Sequence, residues 1–137
     1  MGKAEVLQKG RDVTIMATGL CVSQALDAAK QLEADGIAAE VINVHTIKPL
    51  DEETLIASAK KTGRVVTVEE HSVIGGLGSA VSDLMAKTLY AKVMEIGIQD
   101  TYGESGPALE LIKKYGLDAD SIYTKIKEFL DEEDKTC

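Results

Sequence analysis

Hydrophobic positions follow two patterns along this chain, short continuous runs and a spacing of three and four residues. The first pattern predicts strands, the second predicts helices, and the two follow each other in turn. Apolar runs rich in β-branched residues, which favour strands, lie at 4–7, 13–18, 37–44, 64–69 and 92–97. Between these runs apolar residues recur at intervals of three and four, which places them on one face of a helix. The first such stripe is Val22, Ala25, Leu26, Ala29 and Leu32.

Single residues predict where the helices begin and end. Asp51 and Asp118 stand in front of apolar stripes, where an aspartate caps the free N–H groups of the first turn. Gly36 and Gly63 follow two of the stripes and predict C-terminal glycine caps. Pro107 can take the first position of a further helix.

This order of elements predicts a three-layer α/β/α domain with a mostly parallel five-stranded sheet. Only four residues, "KGRD" at 9–12, separate the first two strands. Because a parallel crossover needs a dozen residues or more, we expect these two strands to form a hairpin, with the first as an antiparallel edge strand.

Length and composition indicate one compact unit. The 137 residues are 45% hydrophobic and 28% charged, which suits a single globular domain with its own core. We expect this domain to cover residues 1–130 and the acidic stretch 131–137 to be a frayed tail.

The charge and the cysteine content limit the possible binding partners and the expected cellular location of the protein. A formal net charge of −8 argues against nucleic acid or an anionic membrane surface, both of which attract basic patches. Because the first ten residues carry charges throughout, we expect no leader there, and no apolar run approaches the roughly 20 residues of a spanning helix. Cys21 and Cys137 predict neither a disulfide framework nor a metal site, so we expect a reduced, cytoplasmic protein.

The segment most suggestive of chemistry is the stretch 69–81, which reads "EEHSVIGGLGSAV". A glycine-rich loop in front of a helix can bind phosphate through free backbone N–H groups. However, Val81 stands where the dinucleotide fingerprint has its third glycine or alanine, and the loop lacks the P-loop lysine. We therefore favour a structural loop, in which Gly75, Gly76 and Gly78 allow positive φ and a close approach of the helix to the sheet.

His71 is the one weak catalytic candidate in this loop. Its imidazole titrates near neutral pH, and Glu69 or Glu70 could orient it as a general base. Because no nucleophile accompanies it, a hydrogen-bonding role in the loop is the more common outcome. With two histidines and no calcium-loop pattern in the chain, we expect no metal site.

Three segments together resemble one family. They are "VINVHTIKPLD" at 41–51, "VVTVEEHSVIGGLGSAV" at 65–81 and "IGIQDTYGESGPALELIKKYGL" at 96–117. Their order and spacing are similar to those of the C-terminal domain of transketolases. The same domain occurs in the beta chain of 2-oxo-acid dehydrogenases and in deoxyxylulose phosphate synthase.

The resemblance implies a thiamine-diphosphate enzyme that moves a two-carbon ketol unit between sugar phosphates, as in the pentose phosphate pathway. In that family two other domains hold the cofactor and its magnesium ion, so this chain is expected to bind neither and to be inactive alone. Its implied roles are packing against the cofactor-binding domains and supporting a homodimer. None of the positions that match the family pattern corresponds to a cofactor ligand: Glu70, His71, Gly75, Gly76, Gly78, Asp100, Ser105 and Gly106.

Two functional readings of different class stay open at this point. The first is a non-catalytic domain or small subunit of a transketolase, with the dehydrogenase beta chain and deoxyxylulose phosphate synthase as alternatives. The second is an independent module that binds a small ligand at the rim of the sheet formed by the strands' carboxyl ends.

Overall fold

The computed structural model describes residues 4–19, 21–45, 51–72, 76–88, 91–98 and 118–135. Within these ranges one sheet is built from β1 (Glu5–Gln8), β2 (Val13–Ala17), β3 (Ala39–Asn43), β4 (Arg64–Ser72) and β5 (Lys92–Ile98). The helices of the described part are α1 (Cys21–Ala34), α2 (Glu52–Thr62), α3 (Leu77–Thr88) and α4 (Ala119–Lys135).

The strands run in the order β1-β3-β2-β4-β5. The pairs β2–β3, β2–β4 and β4–β5 are parallel, and β1 is antiparallel to β3. The predicted class is therefore confirmed: a mostly parallel five-stranded sheet with an antiparallel edge strand.

The predicted hairpin between the first two strands is wrong, because β1 pairs with β3 and β2 lies in the centre of the sheet. The four-residue link instead crosses the amino end of β3. At Gly10 it lies so close to that strand that a Cβ atom would stand 2.4 Å from the carbonyl carbon of Ala39. Gly10 therefore allows a connection too short for a helical crossover to step over one strand.

Each face of the sheet carries its own apolar core. On one face α1 and α4 cover residues that include Val13, Val41 and Val66. On the other face α2 and α3 cover Met16 and Ile42 among others. Because β2 contributes to both faces, its five residues are all buried, as expected for a central parallel strand.

The predicted caps are confirmed. The Asp51 carboxylate accepts a hydrogen bond from the Thr54 N–H at 3.3 Å, and Asp118 accepts one from Ser121 at 3.4 Å. Gly63 has a φ of 75° and Gly36 a φ of 83°, the left-handed region that suits glycine after a helix.

Two further predictions concern the C-terminal part. The expected boundary at residue 130 falls inside α4, which continues to Lys135. The helix predicted to start at Pro107 lies outside the described residues. None of the described helices is long and apolar enough to cross a membrane.

A buried polar network ties α2 to β2 and β3. Glu40, 3% exposed, accepts hydrogen bonds from Lys61, from Ser58 at 2.5 Å and from the backbone N–H of Gly10 at 3.2 Å. Burial raises the pKa of Glu40, but these hydrogen bonds and the Lys61 charge outweigh it, so the pKa lies below its ordinary value. Ser58 in turn lies 2.7 Å from the Thr14 hydroxyl, which extends the network into the central strand.

Two fully buried threonines on adjacent central strands allow a matched test of this network. Thr14 is hydrogen-bonded to Ser58 and Thr62, whereas the Thr67 hydroxyl has no partner among the described residues. We expect Thr14→Val to lower the free energy of unfolding by about 1–3 kcal/mol, because it removes the Thr14 hydroxyl, which makes hydrogen bonds inside this buried network. Thr67→Val should raise it by up to about 1 kcal/mol, because it removes a desolvated hydroxyl that makes no bond.

Urea unfolding of both variants and the parent measures these changes. If Thr14→Val and Thr67→Val changed the free energy of unfolding by the same amount, the stability assigned to the hydrogen bonds of Thr14 would be contradicted.

Candidate functional site at the start of helix α3

The ends of three parallel strands meet at one edge of the sheet, where a ligand would be expected in an open α/β fold. The backbone N–H of Thr18, just after β2, donates to the carbonyl of Val68 in β4 at 3.3 Å. Val44, just after β3, donates to Ala17 at 2.9 Å. On the same edge an oxygen of Glu5 lies 3.7 Å from His45 Nε2, but both side chains are exposed, so this contact contributes little stability.

The centre of this edge is a buried carboxylate. Glu69 is 0% exposed and lies near the end of β4, on the face covered by α2 and α3. Its Oε1 atom accepts a hydrogen bond from the Leu77 N–H at 2.8 Å, and its Oε2 atom accepts one from the Gly78 N–H at 2.7 Å. Both donors belong to the first turn of α3, whose N–H groups have no partner within the helix.

This arrangement decides what the glycine-rich loop can bind. Free N–H groups and the positive end of the helix dipole make a helix N-terminus a suitable site for an anion. In this chain the anion is the protein's own Glu69 carboxylate, with one oxygen on each of two adjacent N–H groups. A phosphate could take that position only by displacing a fully buried side chain, so Glu69 has the geometry of a cap on α3.

A second carboxylate lies against the same turn. Oε1 of Glu95, on β5, would stand only 2.3 Å from a Cβ atom at Gly78. Burial and, to a smaller extent, the negative charge of Glu69 raise the pKa of Glu95 above its ordinary value. The first turn of α3 therefore contacts two acids, one buried and one partly exposed.

Gly78 was predicted to allow a positive φ and a close approach of the helix to the sheet. Among the described glycines, φ is positive at Gly19, Gly36 and Gly63 and not at Gly78, so the predicted positive φ is wrong there. The Glu95 side chain of β5 lies where a Cβ atom of Gly78 would stand, so the lack of a side chain at Gly78 allows this contact.

The structure describes only some of the other predicted site residues. Glu70 and His71 contribute their backbones to β4, and their side chains lie outside the described residues. The carbonyl of Gly76 accepts a hydrogen bond from the Ala80 N–H at 3.2 Å in the first turn of α3. The remaining positions also lie outside the described residues: Gly75, Asp100, Ser105 and Gly106.

The donor chemistry of the described residues does not suit a metal–diphosphate group. No three or more histidine, cysteine, aspartate or glutamate side chains in the described ranges converge on a point where they could hold a metal ion. Cys21, the cysteine inside these ranges, is the first residue of α1 and is buried in the core.

Sequence reasoning missed Glu69 as the key residue of this edge. It treated Glu69 as a possible orienting group for His71, because the two lie close together in the sequence. Two features of the sequence could have indicated this role. Glu69 is a carboxylate near the end of a buried strand, eight residues before Leu77 and nine before Gly78. The helix that begins there lacks a Ser, Thr, Asp or Asn cap of its own.

The fold and this edge define the class of protein. It is a three-layer α/β domain in which the protein's own Glu69 side chain caps the N-terminus of α3. The profile of the family described as "Transketolase, C-terminal domain" matches residues 2–122. The chain belongs to this transketolase C-terminal domain family.

The relatives place the domain in larger enzymes. A 6-deoxy-6-sulfo-D-fructose transketolase subunit of a Clostridium species is 50% identical over 122 residues, which are 89% of this chain and 38% of that protein. A 1-deoxy-D-xylulose-5-phosphate synthase of Heliobacterium modesticaldum is 44% identical over 96% of this chain and 20% of its own length. The chain thus spans well under half the length of these relatives.

A solved structure of a split-gene transketolase, described as an inactive beta4 tetramer, is 48% identical with a TM-score of 0.88. The match covers 95% of this chain and 43% of that one. The expected transketolase C-terminal domain is therefore confirmed in both sequence and fold.

Replacement of Glu69 tests its role as the cap of α3. Glu69→Ala should lower the free energy of unfolding by about 2–4 kcal/mol, because it removes charge-assisted hydrogen bonds and leaves buried N–H groups unpaired. Glu33→Ala, on the exposed surface of α1, is the control and should change stability by less than about 0.5 kcal/mol. Urea unfolding that shows no more loss for Glu69→Ala than for the control would contradict this role.

The raised pKa of Glu95 predicts a pH-dependent effect. The folded state favours the protonated acid, so its contribution to stability is present at low pH and is lost as pH rises through the folded pKa. Glu95→Gln should therefore be more stable than the parent at pH about 7 and should lose that advantage below the ordinary glutamate pKa of about 4.3.

Thermal unfolding across this pH range, with Asp83→Asn as an exposed control on α3, measures the difference. A Glu95→Gln variant that is less stable than the parent at neutral pH would show that the carboxylate is stabilised there.

Proposed function

We propose that this chain acts as the C-terminal domain or small subunit of a transketolase that transfers a two-carbon ketol unit between sugar phosphates. Membership of the transketolase C-terminal domain family supports this assignment. The observation that carries it is the Glu69 cap: the edge where an open α/β fold would bind its ligand is closed by two hydrogen bonds to the protein's own carboxylate.

Thiamine diphosphate and magnesium would then be held by other domains, and this chain would bind neither alone. The diphosphate needs a metal and free N–H groups, whereas the described residues offer no convergent metal ligands and the α3 N-terminus is filled. The role of this chain would be structural. Glu69 joins the end of β4 to the start of α3 and so holds in place the end of β4, which includes Glu70 and His71.

The partners would be the thiamine-binding and pyrimidine-binding domains of the same enzyme, on the same or a second polypeptide. The relatives support a second polypeptide, because one is named a subunit and another a split-gene transketolase. The complete enzyme would be a homodimer of such units in the cytoplasm, with a place in pentose phosphate metabolism.

Deoxyxylulose phosphate synthase is the second candidate, because one such enzyme is 44% identical over nearly the whole chain. That enzyme and the dehydrogenase beta chain would use the domain in the same non-catalytic way. An independent ligand-binding module has less support, because Glu69 occupies the helix N-terminus in the part of the rim that the structure describes.

Reconstitution tests the proposal. The purified chain should show no saturable heat of binding with thiamine diphosphate and magnesium, because it lacks their ligands. Mixed with the thiamine-binding polypeptide of the same organism, it should form a complex that binds the cofactor and transfers ketol groups.

Ketol transfer is measured with a panel of sugar-phosphate donors and acceptors, and deoxyxylulose phosphate synthesis is measured as the second assay. Micromolar cofactor binding by the chain alone, or a complex inactive in both assays, would overturn the proposal.

A further inference from the structure

The polypeptide enters the sheet at an anchored point, just before β1. The backbone N–H of Ala4 donates a hydrogen bond to the Asp51 Oδ2 atom at 2.8 Å. The Ala4 side chain is partly buried and packs against the core between the sheet and the α2–α3 layer. Segments at the boundary of a domain are poorly ordered unless contacts tie them down, and here both the backbone and the side chain are held.

The carboxylate that anchors this entry is also the cap of α2. Asp51 accepts hydrogen bonds from the Thr54 N–H at 3.3 Å and from the Thr54 hydroxyl at 2.7 Å. It therefore joins the start of α2 to a backbone group that lies 47 positions away in the sequence. Asp118 caps α4 in the same way, through the Ser121 N–H at 3.4 Å and hydroxyl at 2.7 Å. The side-chain hydrogen bonds of Asp118 within the described residues stay inside its own helix.

This anchored entry lies at the carboxyl edge of the parallel strands. Strand β1 is antiparallel to β3, and Glu5 at its start is opposite Asn43, the last residue of β3. Helix α2 also starts at this edge, since it follows the end of β3. The entry therefore shares the edge that carries the Glu69 cap of α3, whereas the link between β1 and β2 lies at the opposite, amino edge.

The direction of the chain shows where the rest of an enzyme would join. A C-terminal domain follows the rest of its polypeptide, and the matched region is well under half the length of the transketolase relatives. The family profile starts at residue 2, only three residues before β1. A preceding domain would therefore end close to Ala4. A break in the polypeptide ahead of this point would leave the same two surfaces in contact.

We propose that the carboxyl edge beside the start of α2 is the surface that meets the preceding, thiamine-binding part of the enzyme, with Asp51 as the positioning residue of this junction. By bonding both Ala4 and Thr54, Asp51 fixes the direction in which the polypeptide reaches the domain. This inference rests on the proposed function and names the edge of the sheet at which that assembly forms.

Photocrosslinking in the complex with the purified thiamine-binding polypeptide tests the location. One variant carries the crosslinker in place of His45, which is exposed and follows β3 at the carboxyl edge. The control carries it in place of Arg11, which is exposed in the link at the amino edge. Position 45 should crosslink to the thiamine-binding polypeptide, and position 11 should not.

Two matched serine variants test the positioning role. Asp51→Ser and Asp118→Ser each keep a residue that can cap a helix, but the shorter side chain at position 51 cannot also reach Ala4. Amide exchange of Ala4, followed by NMR, should become about 10-fold faster in Asp51→Ser and stay unchanged in Asp118→Ser. The Kd for the thiamine-binding polypeptide should rise about 3- to 10-fold in Asp51→Ser alone, because its junction is less preorganised. Circular dichroism melting verifies that both variants fold.

Crosslinks from position 45, together with a raised Kd in Asp51→Ser alone, are the expected result. Crosslinks from position 11 instead of position 45 in an active complex would overturn the junction and leave the proposed function intact. The same holds for an equal Kd in the parent and both serine variants. Failure of the parent itself to bind the polypeptide would overturn both.

Discussion

The pair of hydrogen bonds from the first turn of α3 to Glu69 is the constraint on which the interpretation of this domain depends. A fully buried carboxylate is costly unless its oxygens are paired, and here each oxygen accepts one short bond from a helix N-terminus. The same bonds satisfy two N–H groups that the helix leaves free. Strand β4 and helix α3 are thereby joined to one another at the edge where related α/β architectures bind ligands.

This constraint connects the fold to its place in an enzyme. Because Glu69 fills the α3 N-terminus, the proposed function assigns this domain a supporting role in a larger enzyme. The Glu40 network has the same character at the opposite end of the parallel strands, where Ser58, Thr14 and Lys61 hold α2 onto the sheet.

Much of the fold could be predicted because its signals are local. The apolar stripe of α1, the caps at Asp51 and Gly63 and the β-branched run of β2 each specify one element through neighbouring residues. The partner of β1 could not be predicted in this way, since it depends on a backbone contact between Gly10 and Ala39, which lie far apart in the sequence. The same limit applies to the site: the eight-residue separation of Glu69 from Leu77 becomes a hydrogen bond only once the turn between them is formed.

The measurement that tests the central claim most directly is a phosphate titration of the isotope-labelled chain, followed through the backbone amide resonances of Leu77 and Gly78. If Glu69 fills the helix N-terminus, these two resonances should shift no more with millimolar phosphate than with sodium chloride of equal ionic strength. In Glu69→Ala the same two resonances should shift with phosphate, because their N–H groups are then free to bind an anion. A saturable phosphate-specific shift of both resonances in the parent chain would contradict the account and restore the loop as a phosphate site.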